Sequence, residues 1–235
     1  MVKVSAEAIK VYGARTIYQY LSDMQSEVEG VMTSDDIEYV HRMRVATRRL
    51  RSAFVIFRDT IPKKDYKSYS KDIRAVTKAL GAARDLDVQI ELIEKLLPQY
   101  TDARLSPGIR RIQLRLKQQR EAAQTQVVES MKILESDETL RNIARWAAPW
   151  LEKAESIYLY SPALFELAFT AIKNRLQEMM AFEELVRDPE NVSELHAMRI
   201  SAKRLRYTME TFESLYGDQI KPFINQTKKL QDLLG

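Results

Sequence analysis

The segment His41-Arg-Met-Arg-Val-Ala-Thr-Arg-Arg-Leu-Arg51 returns later in the chain as His196-Ala-Met-Arg-Ile-Ser-Ala-Lys-Arg-Leu-Arg206. Together the two segments contain both histidines of this 235-residue chain. The sequence before each segment also matches, because Ile17 and Leu21 precede the first copy at the same offset as Ile172 and Leu176 precede the second. Self-similarity over this length indicates an internal duplication rather than an array of many short repeats.

Each copy of the segment has a cationic side and an apolar side when it is placed on a helix. At about 100° per residue, the basic side chains fall within a stripe about 80° wide, and the large apolar side chains lie nearly opposite. The cationic stripes consist of His41, Arg44, Arg48 and Arg51 in the first copy and of His196, Arg199, Lys203 and Arg206 in the second. The apolar sides consist of Met43, Ala46, Leu50, Phe54 and Phe57, and of Met198, Leu205, Met209 and Phe212. The pattern predicts two helices that each present one side to a core.

The rest of the chain is also predicted to be helical, so we expect an all-α fold. Apolar residues recur at helical spacing, and only 6 Gly and 7 Pro interrupt a sequence rich in helix-forming residues. Thr33, Ser34 and Asp35 are candidate N-caps, Ser161 and Pro162 are predicted to open a later helix, and Gly81 is a candidate kink. The predicted helices span about 5–29, 36–60, 62–80 and beyond, 109–134, 138–153, 162–187 and 191–216, with an Asn191 capping box at the start of the last helix and Gly217 at its end.

We interpret the chain as one domain, 1–235, made of an N-terminal repeat at about 5–155 and a C-terminal repeat at about 156–235. The second repeat stops at Gly235, which aligns with Gly81 of the first. It therefore has no counterparts of Arg84 and Asp85 or of the helix that follows them. We expect the C-terminal repeat to be incomplete at its C-terminal end.

Charge and composition restrict the classes of function. The 37 Lys and Arg are nearly balanced by 33 Asp and Glu, yet the segment from His41 through Arg58 holds six arginines and no acid. With 0 Cys the chain has no disulfide, no thiolate nucleophile and no cysteine metal site. No apolar stretch approaches the length that crosses a bilayer. We expect a soluble, cytoplasmic protein without a membrane partner.

An extended anion suits the cationic stripes better than a single carboxylate does. The stripe from His41 to Arg51 is about 15 Å long at the helical rise. Arginine offers several donors to phosphate oxygens and keeps its charge at physiological pH. A single basic face is most often solvated, but six arginines without an acid repel one another unless an anion neutralises them. In the second copy, Glu210 follows Arg206 by four residues and is expected to pair with it.

Weaker candidates lie downstream of each copy. Arg74 and Lys78 share one face of the following helix, and Lys228 has an equivalent position in the second half. A solvated face explains these three about equally well. Arg84 and Asp85 are interpreted as a structural ion pair or a helix start rather than as ligand contacts.

The doubled motif resembles the conserved histidine α-helical domain, or CHAD, family. The resemblance rests on the pattern His-x-x-Arg-hydrophobic-x-x-basic-Arg-Leu-Arg in both halves and on Leu80-Gly81-x-x-Arg84-Asp85, and it covers essentially the whole chain. It implies two helical bundles related by a pseudo-twofold, with basic helices lining a central cleft or pore, and binding of inorganic polyphosphate. The contacts that it implies are His41, Arg44, Arg48, Arg49 and Arg51 with His196, Arg199, Lys203, Arg204 and Arg206.

Two other functions remain alternatives. A nucleic-acid backbone also attracts Lys and Arg, although no aromatic residue alternates with the basic stripe as single-strand stacking requires. A phosphate-processing enzyme is disfavoured because the chain lacks a P-loop, a His-Glu-x-x-His motif and the Glu-x-Glu-x-Lys motif of tunnel triphosphatases. A metal bridging His41 and His196 would be repelled by the neighbouring arginines. We therefore expect a non-enzymatic polyphosphate-binding protein of polyphosphate granules, with no cofactor, no metal site and no catalytic residue; its oligomeric state is left open.

Overall fold

The computed structural model describes residues 2–34, 36–100, 102, 104–136, 138–154 and 160–234. Their regular structure is entirely helical, which confirms the predicted all-α class. The α-helices are α1 (Val2–Gln25), α2 (Val28–Thr33), α3 (Ile37–Ile56), α4 (Lys63–Leu96), α5 (Ser106–Ser136), α6 (Thr139–Glu152), α7 (Pro162–Met180), α8 (Val192–Thr211), α9 (Glu213–Tyr216) and α10 (Lys221–Leu233). Short 3-10 turns follow several of them.

Several helix boundaries differ from the predicted ones. The predicted helix at 5–29 is divided into α1 and α2, and α7 ends at Met180 instead of continuing to 187. Gly81 does not interrupt α4, which is one helix of 34 residues. Because glycine in a helix costs only about 1 kcal/mol relative to alanine, the packing of a long helix can absorb it.

The caps show both correct and incorrect local predictions. The Ser161 hydroxyl accepts a hydrogen bond from the Leu164 amide at 3.3 Å, so it caps α7 as Ser before Pro should. Asn191 precedes α8 but makes no capping bond; its side chain donates to the Leu185 carbonyl at 2.7 Å instead. Gly217 has φ +58° and follows α9, a left-handed conformation that favours glycine. Asp35, another predicted cap, lies outside the described residues.

The chain forms two compact units from non-contiguous segments. Unit 1 consists of Met1–Tyr18, Arg49–Lys63 and Arg145–Gly235, and unit 2 consists of Gln19–Arg48 and Lys64–Ala144. Unit 1 draws on both of the repeats predicted from sequence. The repeat boundaries and the pseudo-twofold relation therefore stay predictions.

Helix α8, which carries the second copy of the motif, is anchored by its apolar side in unit 1. Met198, Leu205 and Met209 are 8%, 3% and 4% exposed and belong to a core cluster with Met179 of α7 and with Ile220. Each such side chain contributes about 1.5–3 kcal/mol through burial. This packing confirms the predicted apolar side and directs the basic side of α8 away from the cluster.

The ends of both motif helices meet in an aromatic cluster of unit 1. The rings of Tyr12, Phe57 and Phe212 lie with centroids 5.9–6.1 Å apart. The Tyr12 hydroxyl lies 3.1 Å from the Thr211 carbonyl oxygen, to which it donates. A Cβ at Gly13 would lie 2.8 Å from the Phe57 ring, so α1 needs glycine at this point. The residues Phe57 and Phe212, matched by the duplication, therefore contact each other in the core.

The core of unit 2 begins on the apolar side of the first motif helix. Met43 is fully buried, and Ala46 is nearly so. Other buried apolar residues of unit 2 are Val31, Val40, Ile73, Val76, Leu80, Val127, Met131 and Leu134. This burial again confirms the predicted apolar side and leaves the cationic stripe on the remaining surface of α3.

Candidate polyanion-binding site

The first copy of the motif places three of its cationic side chains in unit 2. His41, Arg44 and Arg48 lie on α3 and are all half-buried. The His41 Nδ1 atom is buried and has no hydrogen-bond partner among the described residues. Arg48 forms no hydrogen bond or ion pair within the described part of the chain. Part of this cationic stripe therefore lacks a counter-charge from the residues that the structure describes.

Helix α4 passes close to this stripe at Gly81. A Cβ at Gly81 would lie 4.0 Å from Nε of Arg44, and the Arg44 guanidinium lies 3.8 Å from Oδ1 of Asp85. The Asp85 side chain is 71% exposed, so this pair contributes little to stability. Arg74 and Lys78 occupy exposed positions on the same helix, about two turns and one turn before Gly81. Helix α4 therefore lies next to the first copy at Gly81 and Asp85, and the ligand contacts predicted for Arg74 and Lys78 stay predictions.

The predicted Arg84–Asp85 pairing is replaced by two separate ion pairs. Arg84 donates to Oε1 of Glu91 at 3.1 Å, about two turns further along α4. Asp85 instead faces Arg44. Adjacent residues point in different directions on a helix, which explains why each finds another partner.

Arg42 belongs to the motif but has a structural role. Its Nε donates to both carboxylate oxygens of Glu27, at 3.0 and 2.9 Å, and its guanidinium lies 4.6 Å from the centre of the Tyr39 ring. The second copy has Ala197 at this position. Arg42 therefore joins α3 to the turn before α2 instead of contributing to the stripe.

Two arginines of the second copy are bound by α10. Arg199 donates from Nε to the backbone carbonyl of Gln231 at 3.1 Å, and Arg206 donates from Nε to the Gln231 side-chain oxygen at 3.3 Å. Gln231 is itself 5% exposed, and its amide donates to the carbonyls of Ala202 and Thr227. These contacts fix the guanidinium groups of α8 in position.

A single carboxylate joins the two copies within unit 1. Arg49 of the first copy donates to Oε2 of Glu210 at 2.9 Å, and Arg206 of the second donates to Oε1 at 2.8 Å. The Glu210 side chain is only 9% exposed, whereas the arginines are 36% and 21% exposed. The predicted Arg206–Glu210 pair is present, and the contact from Arg49 is an addition. Arginines from both copies therefore converge on one anionic group.

The remaining predicted contacts differ in their exposure. His196, Arg204 and Lys228 are exposed and form no ion pair among the described residues, while Arg51 and Lys203 are half-buried and have partners. Arg49 and Arg204, at the margin of the stripe, occupy unlike surroundings, since only Arg49 reaches a buried acid.

Sequence reasoning missed Gln231. It sits on a short helix among Lys, Gln and Leu, and no charge or motif distinguishes it from Gln226. Its role depends on α10 packing against α8. Among the described residues, no group of three His, Asp or Glu side chains is arranged to hold a metal ion. None of the described helices combines the length and apolarity that a membrane span requires.

Comparison with known proteins identifies the family. The family model described as the CHAD domain matches residues 15–235, so the chain belongs to the CHAD family. The polypeptide is 26% identical over 212 residues to uncharacterized proteins of two Mycobacterium tuberculosis strains, CDC 1551 / Oshkosh and ATCC 25618 / H37Rv. Each alignment covers 86% of this chain but 38% of the relative, so the chain spans well under half the length of these relatives.

Two solved structures share the fold. The crystal structure of the CHAD domain from the plant Ricinus communis superposes with a TM-score of 0.71 at 24% identity, covering 97% of this chain and 73% of that one. PptA from Streptomyces chartreusis superposes with a TM-score of 0.57 at 17% identity, covering 87% of this chain and 74% of that one. At these identities the likeness concerns the fold alone.

Proposed function

We propose that this chain binds inorganic polyphosphate without transforming it, through the basic helices α3 and α8. The observation that carries the proposal is the convergence of Arg49 and Arg206 on the carboxylate of Glu210. It supports the idea that one anion can be contacted by both copies of the motif. Membership of the CHAD family supports a polyphosphate-related role.

The chemistry of a phosphate chain matches the remaining cations. Each guanidinium can give charge-assisted hydrogen bonds to phosphate oxygens, which are about twice as strong as neutral ones. Arg48, Arg204 and Lys228 have no internal counter-charge among the described residues. A linear polymer carries one negative charge per repeating phosphate, so one molecule can neutralise several such cations. A single small anion would neutralise only one or two.

The contact set favours holding a phosphate chain over cleaving it. It consists almost entirely of arginine and lysine, which remain protonated near neutral pH and do not act as general bases there. Phosphoryl transfer also requires a nucleophile positioned in line with the leaving oxygen. We therefore propose a binding role, which would associate the protein with cytoplasmic polyphosphate granules.

Calorimetry with three ligands tests the proposal. At fixed ionic strength, polyphosphate of about a hundred phosphates should bind at least a hundredfold more tightly than tripolyphosphate, because a long anion gains effective concentration by engaging both copies. Single-stranded RNA matched in total phosphate should displace it only in large excess. Equal affinity for tripolyphosphate would argue against engagement of both copies. Efficient displacement by RNA would instead favour a general nucleic-acid-binding function.

A further inference from the structure

Unit 2 contains a pocket that the proposed polyphosphate contacts do not use. It lies between α2, the start of α3, α4 and α5, and its volume is about 710 Å³. This volume falls within the range of pockets that hold small molecules, about 300–1,000 Å³. Part of its wall is apolar and consists of Met32, Ile37 and Ile90.

The polar part of the pocket is mainly acidic. Asp87, Glu91, Glu94 and Glu121 line it together with only two cations, Lys117 and Arg120. Lys117 pairs with Glu94 at 3.0 Å, and Arg84, from outside the lining, pairs with Glu91 at 3.1 Å. The exposed carboxylate of Glu121 forms no ion pair among the described residues. Negative charge therefore remains in excess, opposite in sign to the stripes on α3 and α8.

Asp87 provides a buried acceptor in this pocket. Its side chain is 2% exposed, and Oδ1 accepts a hydrogen bond from Nε of Arg120 at 2.6 Å. Its Oδ2 is buried and has no hydrogen-bond partner in the described part of the chain. Burial raises the pKa of Asp87, and the hydrogen bond from Arg120 only partly opposes this effect. A donor bearing positive charge beside Oδ2 would offset the cost of burying the carboxylate.

We propose that the pocket binds a protonated aliphatic amine, with the ammonium group compensating the charge of the Asp87 carboxylate. The alkyl part would lie against Met32, Ile37 and Ile90, and Glu121 would attract the cation at the opening. An ammonium group supplies three donors and a compact charge, so it can satisfy one carboxylate oxygen without several ligating groups. The carboxylates are not grouped in the way that a metal ion needs. The site would make the chain a binder of small cations as well as of a polyanion.

Calorimetry of the full chain with 1,4-diaminobutane tests this site, in the absence of polyphosphate, which would bind the diamine itself. We expect saturable binding at one site per chain and no detectable binding of 1,4-butanediol, which has the same length without charge. Asp87→Asn keeps an oxygen that can accept from Arg120 but removes the negative charge, and it should weaken binding at least tenfold. Unchanged affinity in folded Asp87→Asn, or equal binding of the diol, would overturn the proposal.

Two exposed positions on α5 keep the test decisive if Asp87→Asn does not fold. Glu121→Gln removes a carboxylate of the pocket and should weaken binding about threefold, which corresponds to a screened interaction of about 0.7 kcal/mol. Glu129→Gln makes the same change on α5 outside the pocket and should leave the affinity unchanged. If both variants bind alike, or if Mg²⁺ at equal concentration displaces the diamine completely, the amine site is wrong.

Discussion

The two copies of the basic motif are nearly identical in sequence but have different neighbours. Four residues after Arg51 the first copy has Val55, which is 48% exposed, whereas four residues after Arg206 the second has Glu210. The position that matches Gln231 of α10 is Thr77 of α4, which is buried. The Thr77 hydroxyl donates to the backbone carbonyl of Ile73 in the same helix. At these two matched positions the second copy therefore has a carboxylate and an amide that contact its arginines, whereas the first copy has Val55 and Thr77.

Arginine therefore has a different role in each copy. In the second copy, Arg199 and Arg206 join α8 to α10 and surround a nearly buried acid. In the first copy, Arg44 faces an exposed acid, and Arg48 faces none among the described residues. We expect substitutions in the first copy to weaken ligand binding and substitutions in the second to reduce the stability of the fold as well.

The largest expected effect is on binding, from Arg44→Ala combined with Arg48→Ala. Two charge-assisted contacts at about 1.5 kcal/mol each should cost about a hundredfold in affinity for long polyphosphate. The melting temperature should change little, because both side chains lie on the side of α3 opposite Met43. Isothermal calorimetry and thermal unfolding by circular dichroism measure the two quantities.

A charge-matched control is available on α5. Arg111→Ala combined with Arg115→Ala removes the same charge from exposed positions outside the proposed site. Its effect on affinity should be several times smaller and should vanish at high salt. Equal weakening by both double variants would show that net charge, not the α3 stripe, determines binding.

The second prediction concerns stability in the second copy. Arg206→Ala leaves Glu210 nearly buried with one fewer partner and removes a donor to Gln231, so it should cost about 2 kcal/mol of unfolding free energy. For a chain of this size the corresponding fall in melting temperature is about 4–8 °C. Arg204→Ala, an exposed position on the same helix, should change stability by less than about 0.5 kcal/mol. If both variants melt alike, the contacts of Arg206 are not structural.

The smallest expected effects come from substituting Glu210 and Val55, the residues by which the two copies differ at this position. Glu210→Gln keeps a hydrogen-bond acceptor but removes the negative charge that pairs with Arg49 and Arg206. Because the two arginines then lose an internal counter-charge, polyphosphate affinity should increase about threefold to tenfold. Val55→Glu places a carboxylate at the matching point after Arg51 and should decrease affinity by a similar factor. Titrations at two salt concentrations measure both changes. A decrease in both variants would mean that Glu210 organises the arginines for the ligand instead of competing with it.

Local sequence signals predicted the helices better than their ends. Ser161 caps α7 because its hydroxyl only has to reach the Leu164 amide in the first turn of the same helix. Asn191 has the same kind of signal, yet the Leu185 carbonyl competes successfully for its side chain. Gly81 predicted a kink, but α4 continues through it without interruption. At Asn191 a contact beyond the adjacent turn outweighed the local preference.

The sequence by itself determined the duplication, the all-α class and the two sides of α3 and α8, since these depend on spacing along one helix. Met43 and Met198 are buried as that spacing requires. Only the tertiary structure decided which arginines are already engaged. Glu210 contacts Arg49, and Gln231 contacts Arg199, across large distances in sequence. Such pairs depend on how separate helices pack, and a helical period contains no information about the side chains that a neighbouring helix presents.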